Sequence, residues 1–195
     1  MTRPSQQRGF TIIELMITIV VLAILLAMAV PSMVDFYDRK RLISQTEAIT
    51  NLLQLARSES IKHPSSATAN LVSATFKPAA PWFVGLANGT AACTNASTCV
   101  ISEGTTAAVT RYLAATECTG CTMTIHEDTP TGTTVTSSVV MVFDLRGTVT
   151  TATTHDYYFT LTSPRGKQLS MNVSKIGRIS ICSPAGTVAS YPSCT

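Results

Sequence analysis

The stretch from Phe10 to Val30, FTIIELMITIVVLAILLAMAV, carries one ionisable side chain, Glu14, in twenty-one residues. At about 1.5 Å of rise per residue such a helix is about 32 Å long, the thickness of a bilayer hydrocarbon core. This segment dictates a membrane-spanning helix followed by a larger soluble part. A secretory signal peptide is the competing reading. Its apolar region is shorter and closes on a small-residue cleavage site, a form that Ala27-Met28-Ala29 meets only loosely. A carboxylate within hydrocarbon costs about 2.5–3.5 kcal/mol on insertion scales. Either Glu14 snorkels to the headgroups, or it meets a partner charge inside the membrane.

The neighbours of Glu14 bear on that choice. A short basic leader, MTRPSQQRG, ends in Gly9 and is followed by Phe10-Thr11-Ile12-Ile13-Glu14-Leu15, with the glutamate fifth after the glycine. This string resembles the class III signal of type IV pilins and type II secretion pseudopilins, a resemblance that runs to Pro31. It implies that a prepilin peptidase cuts between Gly9 and Phe10 and methylates the new amine of Phe10. It also implies that Glu14 pairs with the N-terminal amine of a neighbouring subunit. The partners implied are other major and minor pilins, met through this helix, and an inner-membrane assembly platform. The physics agrees, because a buried carboxylate facing a buried ammonium removes much of the desolvation cost of each. Gly9, with no side chain, lets a protease approach the backbone closely. Cleavage would remove Arg3 and Arg8 and lower the formal net charge of +3 by two.

Beyond Pro31 the pattern stays helical. Val34, Leu42, Ile49, Leu53, Ala56 and Ser60 recur at helix-like spacings, widened by Leu52 and Leu55. Pro64 closes the segment, so one helix is expected from Phe10 to about Lys62, with a second half that needs a sheet to cover its stripe. Pro31 removes one helical hydrogen bond, which in water kinks the helix and in a packed filament marks a stretch able to melt. The expected organisation is a leader at 1–9, a transmembrane and filament-core helix at 10–30, an amphipathic continuation at 31–63 and a β-rich head at 64–195.

The head reads as strands. Tyr157, Phe159 and Leu161 alternate with polar residues or Tyr158, as do Leu169, Met171 and Val173, and then Ile179 and Ile181. Val139 to Phe143 is a continuous apolar run, as in a central strand. Pro164-Arg165-Gly166 and Lys175-Ile176-Gly177 read as turns. The class is α+β: a long N-terminal helix packed on an antiparallel sheet, the pilin fold.

Two head segments extend the resemblance. Phe143-Asp144-Leu145-Arg146-Gly147 and the terminal run LSMNVSKIGRISIC, Leu169 to Cys182, resemble the GspH/FimT group of minor pilins. Some members of that group promote DNA uptake and carry Gly-Arg-x-Arg, where this chain has Gly177-Arg178-Ile179-Ser180. The missing second arginine weakens that carry-over. Arg146, Arg165, Lys167 and Lys175 are the candidates for a basic rim near Arg178 that tracks phosphates, against a reading as solvated turn residues.

Six cysteines, all after residue 90, point to an oxidising compartment and so to a head outside the cytoplasm; with the pilin resemblance this implies a single-pass inner-membrane protein with a periplasmic head, which then enters a pilus or pseudopilus. Fifteen connectivities are open. Proximity suggests Cys93–Cys99, Cys118–Cys121 and Cys182–Cys194. A redox role for Cys118-Thr-Gly-Cys121 would need a βαβ setting, and zinc at Cys93, Cys99, Cys118 and Cys121 would need reduced thiolates. Neither is expected, nor is any cofactor or small-molecule substrate, since no nucleophile elbow or phosphate loop occurs. The expected function is structural: a minor pilin that primes or caps a pilus. The alternatives are a DNA-binding minor pilin of natural transformation and a pseudopilin of type II secretion.

Overall fold

The computed structural model describes residues 9–62, 71–101, 109–151, 156–184 and 186–194. The leader ahead of Gly9 and the helix-closing Pro64 lie outside them. The chain forms two compact units, 1–37 and 38–195. The first consists, where described, of the opening of helix α1 (Ile12–Lys62) and the residues before it. Its apolar side chains, from Phe10 through Tyr37, are exposed.

Among the described residues the second unit contains the rest of α1 and twelve strands: β1 (Val72–Lys77), β2 (Phe83–Asn88), β3 (Val100–Ile101), β4 (Val109–Thr110), β5 (Tyr112–Ala114), β6 (Thr122–Glu127), β7 (Thr134–Val135), β8 (Val139–Phe143), β9 (Val149–Thr151), β10 (Tyr157–Thr162), β11 (Gln168–Val173) and β12 (Ile179–Cys182). One five-stranded sheet has the order β5-β2-β1-β8-β9 and a second β12-β11-β10-β6-β7, while β3 and β4 form a small ribbon. Every pairing in them is antiparallel.

This unit begins at Asp38, and the second half of α1 is part of its core. Leu42, Thr46, Ile49, Leu53, Ala56 and Ser60 are fully buried, at spacings that alternate between four and three and keep one helix face turned inward. Thr46 Oγ1 returns a hydrogen bond to Leu42 O, and Ser60 Oγ one to Arg57 O, so neither hydroxyl is buried without a partner. Val34 does not join this stripe: it is exposed, and Asp38 occupies the place one turn on, where its carboxylate accepts from Ser163 Oγ at 2.7 Å.

Helix and sheets share one core. Phe76 of β1 stacks on Phe159 of β10 with ring centroids 3.7 Å apart, and Met141, Phe143, Leu161, Leu169 and Met171 belong to the same buried cluster, together with Leu42, Ile49 and Leu53 of the helix. Each such fully buried side chain contributes about 1.5–3 kcal/mol relative to exposure. β8 lies inside its sheet between β1 and β9, yet its burial alternates, with Val139, Met141 and Phe143 inward and Val140 and Val142 half-exposed.

Strands β1 and β2 are not among the strands expected from the sequence. Both are buried on two faces. Their outer face is covered by the loop that the Cys93–Cys99 disulfide closes, together with Phe83, Ala87 and Tyr112. Ser73 Oγ donates to Ala91 O at 2.7 Å, and Cys93 N–H donates to Thr75 Oγ1 at 3.1 Å. Those two hydroxyls tie the covering loop to the sheet.

Candidate filament, processing and basic sites

Gly9, Phe10 and Thr11 precede the helix, which begins at Ile12. Gly9 is open: a Cβ placed on it would meet nothing within 4 Å. Phe10 is 83% exposed. The first turn is capped by Thr11, a residue outside the expected site. Thr11 Oγ1 accepts from Glu14 N–H at 3.3 Å, and Thr11 O from Leu15 N–H at 3.2 Å. Thr11-Ile12-Ile13-Glu14 thus has the form of a capping box, a hydroxyl at the cap and a glutamate three residues later. Glu14 also sits in the first turn, where the helix dipole favours a negative charge. Its side chain is exposed, and so are the apolar side chains around it. One apolar window of α1 is long enough to cross a membrane, and none of it is buried within the chain. Pro31 lies within the helical span.

The five basic candidates in the head do not form one rim. Arg146 lies in the β8–β9 turn, and Lys175 and Arg178 in the β11–β12 connection. These two turns abut: Val149 N–H donates to Lys175 O at 2.8 Å, and Gly177 rests against Gly147 O. Arg57 of α1 lies against both glycines and lines a cleft with Arg178, Gln54 and Ser58. Arg57 is therefore a fourth cation of this cluster, although its sequence position suggests only the polar side of a helix. Arg165 and Lys167 are elsewhere. They sit in the β10–β11 turn, at the other end of β11 from Lys175, because successive turns of an antiparallel meander fall at opposite ends.

Asp144 holds the Arg146 turn. Its Oδ1 accepts from the backbone N–H of Arg146 at 2.9 Å and of Thr148 at 2.8 Å, and its Oδ2 accepts from Thr148 Oγ1 at 2.6 Å. Burial pushes its carboxyl up, but those hydrogen bonds and the Arg146 charge outweigh burial and hold it below the usual carboxylate range.

All six cysteines are paired, as Cys93–Cys99, Cys118–Cys121 and Cys182–Cys194. The first pair belongs to the covering loop and the second to the main core, so the four sulfurs do not converge on one centre. Trp82 Nε1 donates to Cys121 O at 2.9 Å and docks the second loop onto the core. Among the described residues no group of three or more His, Cys, Asp or Glu side chains is placed to hold a metal.

Residues 4–30 match the family model described as the prokaryotic N-terminal methylation motif. The type II secretion system core protein G of Klebsiella michiganensis is 30% identical over 82 residues, 40% of this chain and 57% of that protein. The protein of the same name from Klebsiella pneumoniae is 30% identical over 65 residues, 32% of this chain and 46% of its own length. The chain thus spans about half the length of the curated relatives it matches. No solved structure matches it. The methylation motif, these relatives and the helix-then-sheets architecture agree in making the chain similar to the type IV pilins and pseudopilins that carry a class III signal, which are structural proteins rather than enzymes.

Proposed function

We propose that this chain is a minor pilin of the GspH/FimT type. On this reading it is held in the inner membrane by its apolar helix, with its head in the periplasm. A prepilin peptidase processes it between Gly9 and Phe10. An inner-membrane platform then moves it into a filament that it primes or caps. The observation that carries this reading is the exposed apolar run from Phe10 onward with a lone carboxylate in it. Such a surface needs lipid first and neighbouring helices afterwards, and a carboxylate within it needs either the headgroup layer or a partner charge. Intact-mass analysis of the membrane-extracted protein tests the first step. The mature chain should begin at Phe10 and carry one added methyl group. Retention of Met1 to Gly9 in cells with an active prepilin peptidase would overturn the reading.

Two further readings each have an observation in their favour. The relatives named for type II secretion favour a pseudopilin of that system. Deletion of the gene separates the machines: loss of pili and twitching marks a pilus, loss of exoprotein secretion a pseudopilus. The cluster of Arg57, Arg146, Lys175 and Arg178 favours DNA capture. Duplex binding with a steep inverse salt dependence, reduced in slope by Arg57→Gln or Arg178→Gln, is the expected result there. Salt-independent binding counts against it.

A further inference from the structure

The head carries a second basic surface, distinct from the Arg57 cluster. Asp38, Arg39, Lys40 and Arg41 open the head unit on the first turn of its part of α1. The hydrogen bond from Ser163 to Asp38 brings the β10–β11 turn to this end, with Arg165 exposed and Lys167 half-exposed. Arg41 Nη2 donates to Thr119 Oγ1 at 3.0 Å, and Arg39 donates to Ser190 Oγ. Neither of these two contacts is to a carboxylate. Five cations gather at the end where the chain enters the head, against Asp38 on the same turn and Asp35 and Glu117 close by in sequence.

What precedes them is equally specific. Phe36 and Tyr37 are exposed and lie edge to face, 6.1 Å between centroids. The helical rise from Ile12 to Tyr37 amounts to about 38 Å, which spans a hydrocarbon core and reaches into the headgroup layers. Aromatic rings favour the interface between them. Arg39, Lys40 and Arg41 follow along the chain about 3–6 Å of helical rise past Tyr37, within electrostatic reach of the headgroup layer.

We propose that Arg39, Lys40, Arg41, Arg165 and Lys167 form an electrostatic seat for anionic phospholipid headgroups, which holds the head against the bilayer surface while the subunit is in the membrane. The proposal rests on the reading that the apolar helix spans a bilayer. A basic side chain at an anionic surface is worth roughly fivefold in partitioning, and two together roughly twenty- to thirtyfold. The seat would be released when the helix leaves the lipid, so it would act before assembly and not in the filament.

The chain has a single tryptophan, Trp82, and its hydrogen bond to Cys121 sets it beside this surface, because Cys121 closes the turn that Arg41 contacts. The full-length chain is reconstituted in phosphatidylcholine vesicles, and in the same vesicles with phosphatidylglycerol added, both carrying a dansyl-headgroup lipid. Energy transfer from Trp82 should be stronger with phosphatidylglycerol. That difference should vanish in about 1 M salt, where the screening length falls to about 3 Å. It should also vanish in Arg165→Ser/Lys167→Ser. It should persist in Arg146→Ser/Lys175→Ser, which removes two cations from the other end of β11. Equal transfer in the two lipids, or a difference that survives Arg165→Ser/Lys167→Ser, overturns the seat. Loss of the protein from both kinds of vesicle on alkaline extraction instead overturns the membrane-spanning reading beneath it.

Discussion

The Tyr191 hydroxyl donates to Glu47 Oε1 at 3.2 Å, and so fastens the loop closed by Cys182–Cys194 to the middle of the long helix. Burial raises the Tyr191 pKa above its ordinary value, and the charge and hydrogen bond of Glu47 raise it further. A group whose folded pKa is raised contributes stability that is fully present below its unfolded pKa, about 10 for tyrosine, and lost as pH climbs through the folded value. One of the five tyrosines should therefore ionise late in an ultraviolet titration. Glu47→Gln should bring that ionisation back toward the others. Tyr191→Phe should cost about 0.5–1.5 kcal/mol in denaturant unfolding followed by Trp82 fluorescence. A titration in which Glu47→Gln changes nothing would show that the contact is not made in solution.

Asp144 gives the opposite sign. Its folded pKa lies below the unfolded value, so its stabilisation is complete above about pH 4 and is lost as pH falls through the folded pKa. Asp144→Ala removes three hydrogen bonds to the β8–β9 turn and should destabilise the head by about 1–3 kcal/mol at neutral pH. Asp144→Asn keeps an acceptor oxygen and should cost less, while flattening the acid limb of the stability curve. An acid limb unchanged by Asp144→Asn would assign the acid sensitivity to another carboxylate.

The contact between Gly147 and Gly177 predicts a graded pair of substitutions. Gly177 has φ of 72°, and a Cβ there would fall on Gly147 O and close to Arg57 Nε. Gly166 has a similar φ of 77°, but open space around it. Gly166→Ala should cost only the left-handed backbone strain, about 1–2 kcal/mol. Gly177→Ala should cost clearly more, and should part the two turns that hold Arg146 and Lys175 together. Comparable unfolding midpoints for the two variants would refute the close packing of these turns.

What can be read from the sequence follows from which signals are local. The helix is legible because both its apolar run and its buried stripe depend on one chain segment. β10, β11 and β12 are legible because their apolar side chains alternate along the strand, although Thr160 and Ser170 on the opposite face are buried as well. β1 carries the same signal, with Val72, Ala74 and Phe76 alternating with Ser73, Thr75 and Lys77, but β2 is buried on both faces and shows no alternation, and its cover comes from a disulfide loop later in the chain. The basic rim fails for a topological reason. Arg165, Lys167, Lys175 and Arg178 are near one another in sequence, but β11 is six residues long and separates the two turns by about 20 Å. Arg57 reaches the cluster only through the fold. Thr11 differs from these, since the capping pattern of Thr11 and Glu14 is present in the sequence itself.

That capping pattern sharpens the test of Glu14. A glutamate at the third position of a capping box stabilises its helix locally, and a glutamine serves there as well. If capping is the whole role of Glu14, Glu14→Gln should behave as wild type, and Thr11→Ala should be as harmful as Glu14→Val. If Glu14 neutralises the amine of Phe10 on a neighbouring subunit, the amide cannot replace the charge, and Thr11→Ala should be nearly silent. Removing one partner of a buried pair costs about 3–5 kcal/mol, which lowers incorporation by orders of magnitude. The expected outcome is that Glu14→Val is inserted and cleaved after Gly9, accumulates in the membrane and is missing from sheared filaments. Glu14→Gln should fall between it and the wild type, and Thr11→Ala should assemble. Immunoblots of sheared and membrane fractions read all three. A subunit at the filament tip has no neighbour above it, so normal incorporation of Glu14→Val would point to a tip position or to a snorkelling carboxylate, and the charge pair would not operate in this chain.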